Sequence, residues 1–167
     1  MPNLSDNAVQ AFMQYAWALT PQKFTTPEGQ VIEIDRSKPE TVQVPVAKAR
    51  EVIEAGIRSA QADACELIED QVRNFGSLMR RERNSKQWTD GQIVYINQLH
   101  LATLLLLSGR VKREEDGKGG TDVTVAQPEN EPKRRNTCTE EERAEIRKVI
   151  DAYVASEPAA PADGSRG

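Results

Sequence analysis

Between Pro45 and Asn84 the sequence repeats one pattern for longer than a small domain can use. Apolar side chains at Val46, Ala49, Ile53, Ile57, Ala60, Ala64, Leu67 with Ile68, Val72, Phe75, and Leu78 with Met79 recur every three or four residues, the spacing that lines one face of an α-helix. Arg50, Glu54, Arg58, Glu69 and Arg73 lie largely off that stripe. Glu54 with Arg58 and Glu69 with Arg73 place the acid four residues ahead of the base, the orientation that supports a helix. Pro45 suits the first turn. At 1.5 Å per residue an unbroken helix of this span reaches about 60 Å, roughly twice the diameter of a small domain. Either it bends at Gly56 or Gly76, or another chain covers the stripe. Each of these side chains is worth about 1.5–3 kcal/mol when buried, which makes exposure of half of them costly. The expectation is a homodimer or larger helical assembly with a thin, coiled-coil-like seam of Val46, Ile53, Ile57, Ala60, Ala64, Leu67 and Phe75, its alanines allowing close approach.

Shorter elements surround this rod. Ser5 or Asp6 can cap a first helix carrying Val9, Phe12, Met13, Ala16, Trp17 and Leu19, closed by Pro21. "KFTT", "PEG" and "QVIEID" then predict a hairpin at about 23–35, with Pro27 and Gly29 forming the turn and Ile32 and Ile34 on one face. Val42 and Val44 could add a short third strand. In "TDGQIVYINQLHLATLLLLSGR", Thr89 stands three before Gln92 as a capping box and Ser108–Gly109 offers a stop. That helix is apolar nearly all round, which predicts the centre of the bundle. From Lys112 to Cys138 glycine, proline and mixed charge give a linker composition. A last capped helix follows over 139–155, its face formed by Ile146, Val149, Ile150 and Tyr153, and a disordered tail is expected over 156–167. The fold class read from this order is mainly α: a helical bundle with one long helix, a small N-terminal β-hairpin, and a disordered linker and tail. A core domain over 1–111 precedes the linker.

The 167 residues carry a formal net charge of −4. That field repels phosphate backbones and anionic headgroups, so binding to either needs a local basic patch. One such patch exists in Arg80, Arg81, Arg83 and Lys86, followed by Trp88, although cations at the end of a helix also answer its dipole. "KRR" at 133–135 is a second docking spot or solubilising charge. The greasiest run, Leu99–Leu107, falls short of the roughly 20 residues needed to cross a bilayer, and MPNLSDNAVQAF has no signal-peptide pattern. Cys65 and Cys138 match neither a disulfide framework nor a zinc site and read as free thiols in a reducing cytosol, hence a cytoplasmic protein.

Residues able to carry chemistry are few. His100 is the single histidine, on a mostly apolar helix with no acid one turn away, and reads as a hydrogen-bonded core residue. Asp63, Glu66 and Asp70 would share one face of the long helix as a solvated acid face. A two-metal carboxylate site would need more histidines than the chain has. Neither cofactor nor metal is expected, and no catalytic residue. The function expected is that of a non-enzymatic adaptor, assembly factor or regulatory subunit, dimerising through the 46–79 stripe. It would offer Ile146, Val149, Ile150 and Tyr153 on a tether to a protein partner's groove. The alternative is a nucleic-acid-binding regulator using residues 80–88; an enzyme with an acid and histidine site assembled across a dimer is a third reading.

Overall fold

A computed structural model of the chain describes residues 4–109, the backbone of 111–115 and 121–125, and residues 138–159. The structure is mainly helical: α1 (Asp6–Leu19), a hairpin of β1 (Lys23–Thr25) and β2 (Val31–Glu33), then α2 (Val46–Ala64), α3 (Ile68–Ser85), α4 (Asp90–Leu107) and α5 (Glu140–Ala155). β3 (Val111–Glu115) and β4 (Thr121–Val125) pair antiparallel between α4 and α5, with Val111 opposite Val125. That pair lies within the stretch read as linker; its alternating Val123 and Val125 around polar residues is a weak strand pattern beside the surrounding charge. "KRR" at 133–135 and the end of the tail lie outside the described residues.

The single long helix does not form. Its stripe is cut between Ala62 and Leu67, where the chain leaves α2, and is resumed in α3 running back alongside it. Glu66 takes a left-handed φ of +59°. The Leu67 N–H donates to Ala62 O at 2.8 Å and the Glu66 N–H to Asp63 O at 3.1 Å, the paired reverse bonds of a Schellman terminus. Leu67 then packs with Ala62, the apolar contact that accompanies such a stop. The bend thus falls at neither Gly56 nor Gly76. A glutamate occupies a position usually given to glycine, which removes the residue by which the stop could have been recognised. The reversal is complete: Lys48 Nζ near the start of α2 lies 2.9 Å from Glu82 Oε1 near the end of α3.

The stripe therefore covers itself and α4. Ile53 and Leu67 are buried within the one chain, so the seam expected from Val46, Ile53, Ile57, Ala60, Ala64, Leu67 and Phe75 is not a continuous free surface. α4 is the centre, as its all-round apolar character implies, with Val94, Tyr95, Ile96, Leu99 and Ala102 buried against α2 and α1. The two polar side chains buried on that helix nearest α1 reach its backbone: Tyr95 Oη donates to Met13 O at 3.1 Å and Gln98 Nε2 to Leu19 O at 2.7 Å. Thr89 and Gln92 form the reciprocal capping box. Ser5 caps α1 and Thr139 caps α5 by accepting from the N–H three residues on.

The hairpin pairs Phe24 with Ile32, and Gly29 at φ +89° makes its turn. No third strand forms at Val42 and Val44: a 3₁₀ turn, Pro39–Thr41, precedes them, and both side chains are instead drawn into the core. Proline at 39 favours that turn over an added strand.

Gly56 is a contact glycine rather than a hinge. A Cβ there would stand 2.6 Å from Thr103 Cβ and 2.7 Å from its Cγ2, so α2 and α4 meet at the closest approach the side chains allow. Gly56→Ala is expected to force α4 outward and to cost about 1–3 kcal/mol, read as a lower urea midpoint. Gly91→Ala, whose nearest neighbour would be at 3.8 Å, should leave the midpoint unchanged or slightly raised. Equal midpoints for both variants would contradict the close α2–α4 contact.

Candidate functional site

Where α2, α3 and α4 meet, four polar side chains form a connected chain inside the bundle. Ser59 Oγ and His100 Nε2 share a hydrogen bond of 2.7 Å. Asn74 Nδ2 donates to Ser59 Oγ at 2.7 Å and to Ala55 O at 2.8 Å. Arg58 Nε donates to Asn74 Oδ1 at 3.1 Å. Phe75 lies against the imidazole, ring centroids 4.8 Å apart. His100 is 5% exposed, and burial, helped by the Arg58 charge, pushes its pKa down to about 4. The imidazole is therefore neutral at physiological pH. Ser59 has no exposed surface, so its hydroxyl cannot meet a substrate in this arrangement. The set is a satisfied core network, as read for His100. Ser59 and Asn74 were not singled out in the sequence, although Ser59 follows Ala55 and Asn74 precedes Leu78 by four residues, the helical spacing that turns both inward.

Arg58 connects this network to α5. It is 9% exposed and has no carboxylate within ion-pair distance among the described residues; the expected pair with Glu54 does not form. Its guanidinium lies 3.9 Å from the centroid of the Tyr153 ring, and that of Arg81 is also 3.9 Å from it. Burial raises the Tyr153 pKa against the opposing pull of the two arginines. Arg81 also donates to Tyr153 O and to Ser156 Oγ. Arg80 holds Glu157 with Nε and Nη2 at 2.9 and 3.0 Å. Arg73 bridges Asp70 at 2.7 Å and Asp151 at 2.5 Å rather than pairing with Glu69.

These contacts correct two expectations. The terminal helix is not held off on a tether: Ile150 is fully buried with Ala62, Cys65 and Leu67, and Ile146 packs on the same cluster. Of the expected partner-binding face Val149 is the most exposed, at 41%, with Ile146 and Tyr153 half-buried. Nor is the basic cluster a free patch, since Arg80 and Arg81 are engaged by α5. Arg83 and Lys86 face solvent, Lys86 ending α3 at φ +55°, and Trp88 packs on the main core. The three acids do not share a face either. Asp63 ends α2, Glu66 sits in the joint, and Asp70 is buried on α3 beside Arg73 and Arg147.

Cys65 and Cys138 are joined by a disulfide, overturning the reading of free thiols. The joint between α2 and α3 places Cys65 beside the chain entering α5, a proximity invisible while 45–84 was read as one rod.

α3 and α4 part to leave an apolar cleft of about 270 Å³ lined by Gln71, Val72, Phe75, Asn97, His100, Leu101 and Leu104. Val72 is 65% and Ile68 58% exposed. Large apolar side chains clustered in solvent are uncommon and mark interaction sites. The lining is uncharged, because His100 is neutral.

No protein-family model matches the chain, nor does any curated protein or solved structure. Among the described residues no helix is long and apolar enough to cross a membrane, and no group of three or more histidine, cysteine, aspartate or glutamate side chains is arranged to hold a metal ion.

Because the folded pKa of His100 lies below the ordinary 6.5, folding favours the neutral ring. This contribution is complete above about pH 6.5 and is lost as pH falls from there towards 4, amounting to roughly 3 kcal/mol across the window. His100→Gln should flatten that part of the stability profile, and the imidazole resonances of the parent should titrate near pH 4. A midpoint near 6.5 would show the ring to be solvated.

Proposed function

We propose that the chain is a non-enzymatic helical interaction protein, an adaptor, assembly factor or regulatory subunit, and that it self-associates through the α3–α4 face. The supporting observation is the pairing on one surface of a protrusion, Ile68 and Val72, with an adjoining cleft lined by Phe75, Leu101 and Leu104. A two-fold axis through such a surface sets each copy's protrusion into the other's cleft, the self-complementarity an isologous interface needs. Charge favours the same occupant. Two bodies of net charge −4 repel, and a neutral cleft is where they meet at least electrostatic cost. The seam thus moves from the 46–79 stripe, most of which the chain buries for itself, to the part of α3 that stays outside.

A patch of this extent supports a weak dimer at the small end of specific interfaces, with dissociation expected in the micromolar range. A further protein partner belongs to this reading as the object of regulation or assembly. Cytoplasmic residence loses its thiol argument with the Cys65–Cys138 bond; in a reducing compartment such a bond is transient and redox-linked.

Light scattering over a concentration series tests the proposal. The parent protein should pass from monomer to dimer as concentration rises through about 10–100 µM. Val72→Asp, placed on the exposed surface, should remain monomeric with unchanged helical circular dichroism. A parent that stays monomeric throughout, or a Val72→Asp variant that dimerises as well as the parent, contradicts it.

A further inference from the structure

We infer that the Cys65–Cys138 disulfide is a thiol-exchange site that latches α5 onto the bundle, so that a dithiol reductant releases this helix and uncovers the groove beneath it. The inference is independent of the α3–α4 face.

Access to the bond comes from a cavity of about 480 Å³ whose walls include both cysteines, Gln61, Glu145, Ile146 and Val149. The two sulfurs are unequal. Cys65 is 2% exposed, whereas Cys138 is partly exposed at the edge of the helix. A thiolate entering the cavity attacks Cys138 Sγ, forming a mixed disulfide there; the S–S bond breaks and the electron pair leaves on Cys65 Sγ, which takes up a proton. The second thiol of the reductant then attacks the mixed disulfide and frees Cys138. In sum the reductant gives two electrons and two protons and becomes a disulfide, while Cys65 and Cys138 become thiols.

The remaining contacts of α5 are of a kind that yields once the bond is gone. Only Ile150 on this helix is fully buried. Its ion pairs, Asp151 with Arg73, Arg147 with Asp70 and, just past the helix, Glu157 with Arg80, each have at least one solvent-exposed partner and contribute modestly. With the bond in place α5 begins two residues from a fixed point, Cys138. After reduction the next described residue ahead of Cys138 is Val125 of β4, fifteen residues before Glu140, and β4 lies against α1. Lengthening the tether that much lowers the effective concentration of the helix at its seat by roughly 10- to 100-fold. Release bares Ala62 and Leu67 as an apolar floor with Arg58 and Arg81 at its rim, a groove shaped for an amphipathic helix bearing an aromatic ring. In the oxidised protein the chain's own α5 is that helix.

The test uses the full chain, with dithiothreitol as the dithiol probe. Thiol titration without denaturant should recover both cysteines. Hydrogen exchange should show protection across 147–153 falling by roughly 10- to 100-fold on reduction, with α1, α2 and α4 unchanged. Cys138→Ser should behave as the reduced protein does, and if that variant fails to fold, the reduced parent still decides the question. Thiols that appear only in denaturant would overturn the inference by showing the bond to be inaccessible. Undiminished protection of α5 in the reduced protein would overturn it by showing that the bond is not the latch. Loss of protection in α1, α2 and α4 together with α5 would do so by making the bond a brace of the whole fold.

Discussion

The architecture depends on one reverse turn. Two backbone hydrogen bonds at the end of α2, from Glu66 and Leu67 back to Asp63 and Ala62, convert an amphipathic stretch too long for a small domain into two helices lying side by side. Once α3 runs back along α2, Arg58 and Ser59 of one face Asn74 of the other, and α4 buries most of its surface between this pair and α1. Without the turn, the apolar stripe would need a second chain to cover it. With it, the large apolar side chains of the stripe left exposed are Ile68 and Val72 at the start of α3, beside the α3–α4 cleft.

The same turn creates the seat of α5. Leu67 and Ala62 supply its floor, Cys65 its covalent link, and Arg58 and Arg81 the two cations over Tyr153. A guanidinium as buried as Arg58 needs compensation. It obtains this from an amide oxygen and an aromatic face rather than from a carboxylate. Arg58 thus touches both the polar network around His100, through Asn74, and the docked α5, through Tyr153.

Much of this was legible in the sequence. The capping box at Thr89, the hairpin turn at Gly29, the first helix and the central place of α4 follow from local patterns that the tertiary structure only reinforces. The core role of His100 was legible too, from its lack of acidic or histidine company. Apart from the strand expected at Val42 and Val44 and the β3–β4 pair within the linker, the failures share one origin. A helix stop normally announces itself by glycine; here Glu66 takes the left-handed conformation, and periodicity runs on through the joint as though nothing happened. With the turn unseen, Cys65 lay far from Cys138, the acids seemed to share one face, and Arg81 and Tyr153 had no reason to meet. The two glycines that did suggest bends serve elsewhere: Gly56 admits Thr103, and Gly76 stays within α3. Polar residues such as Ser59 and Asn74 gave a fainter signal, since an inward polar side chain looks like a gap in the stripe until its partner on the next helix is known.

The reversal itself is open to a direct distance measurement. Spin labels at Glu51 and Arg83, both exposed, would be about 48 Å apart along a continuous helix, but within about 20 Å if α3 returns beside α2, since packed helix axes lie 8–10 Å apart. The short distance, measured in a monomer with one labelled chain diluted among unlabelled ones, is the result this account predicts. A distribution centred near the long distance would restore the single rod and contradict it.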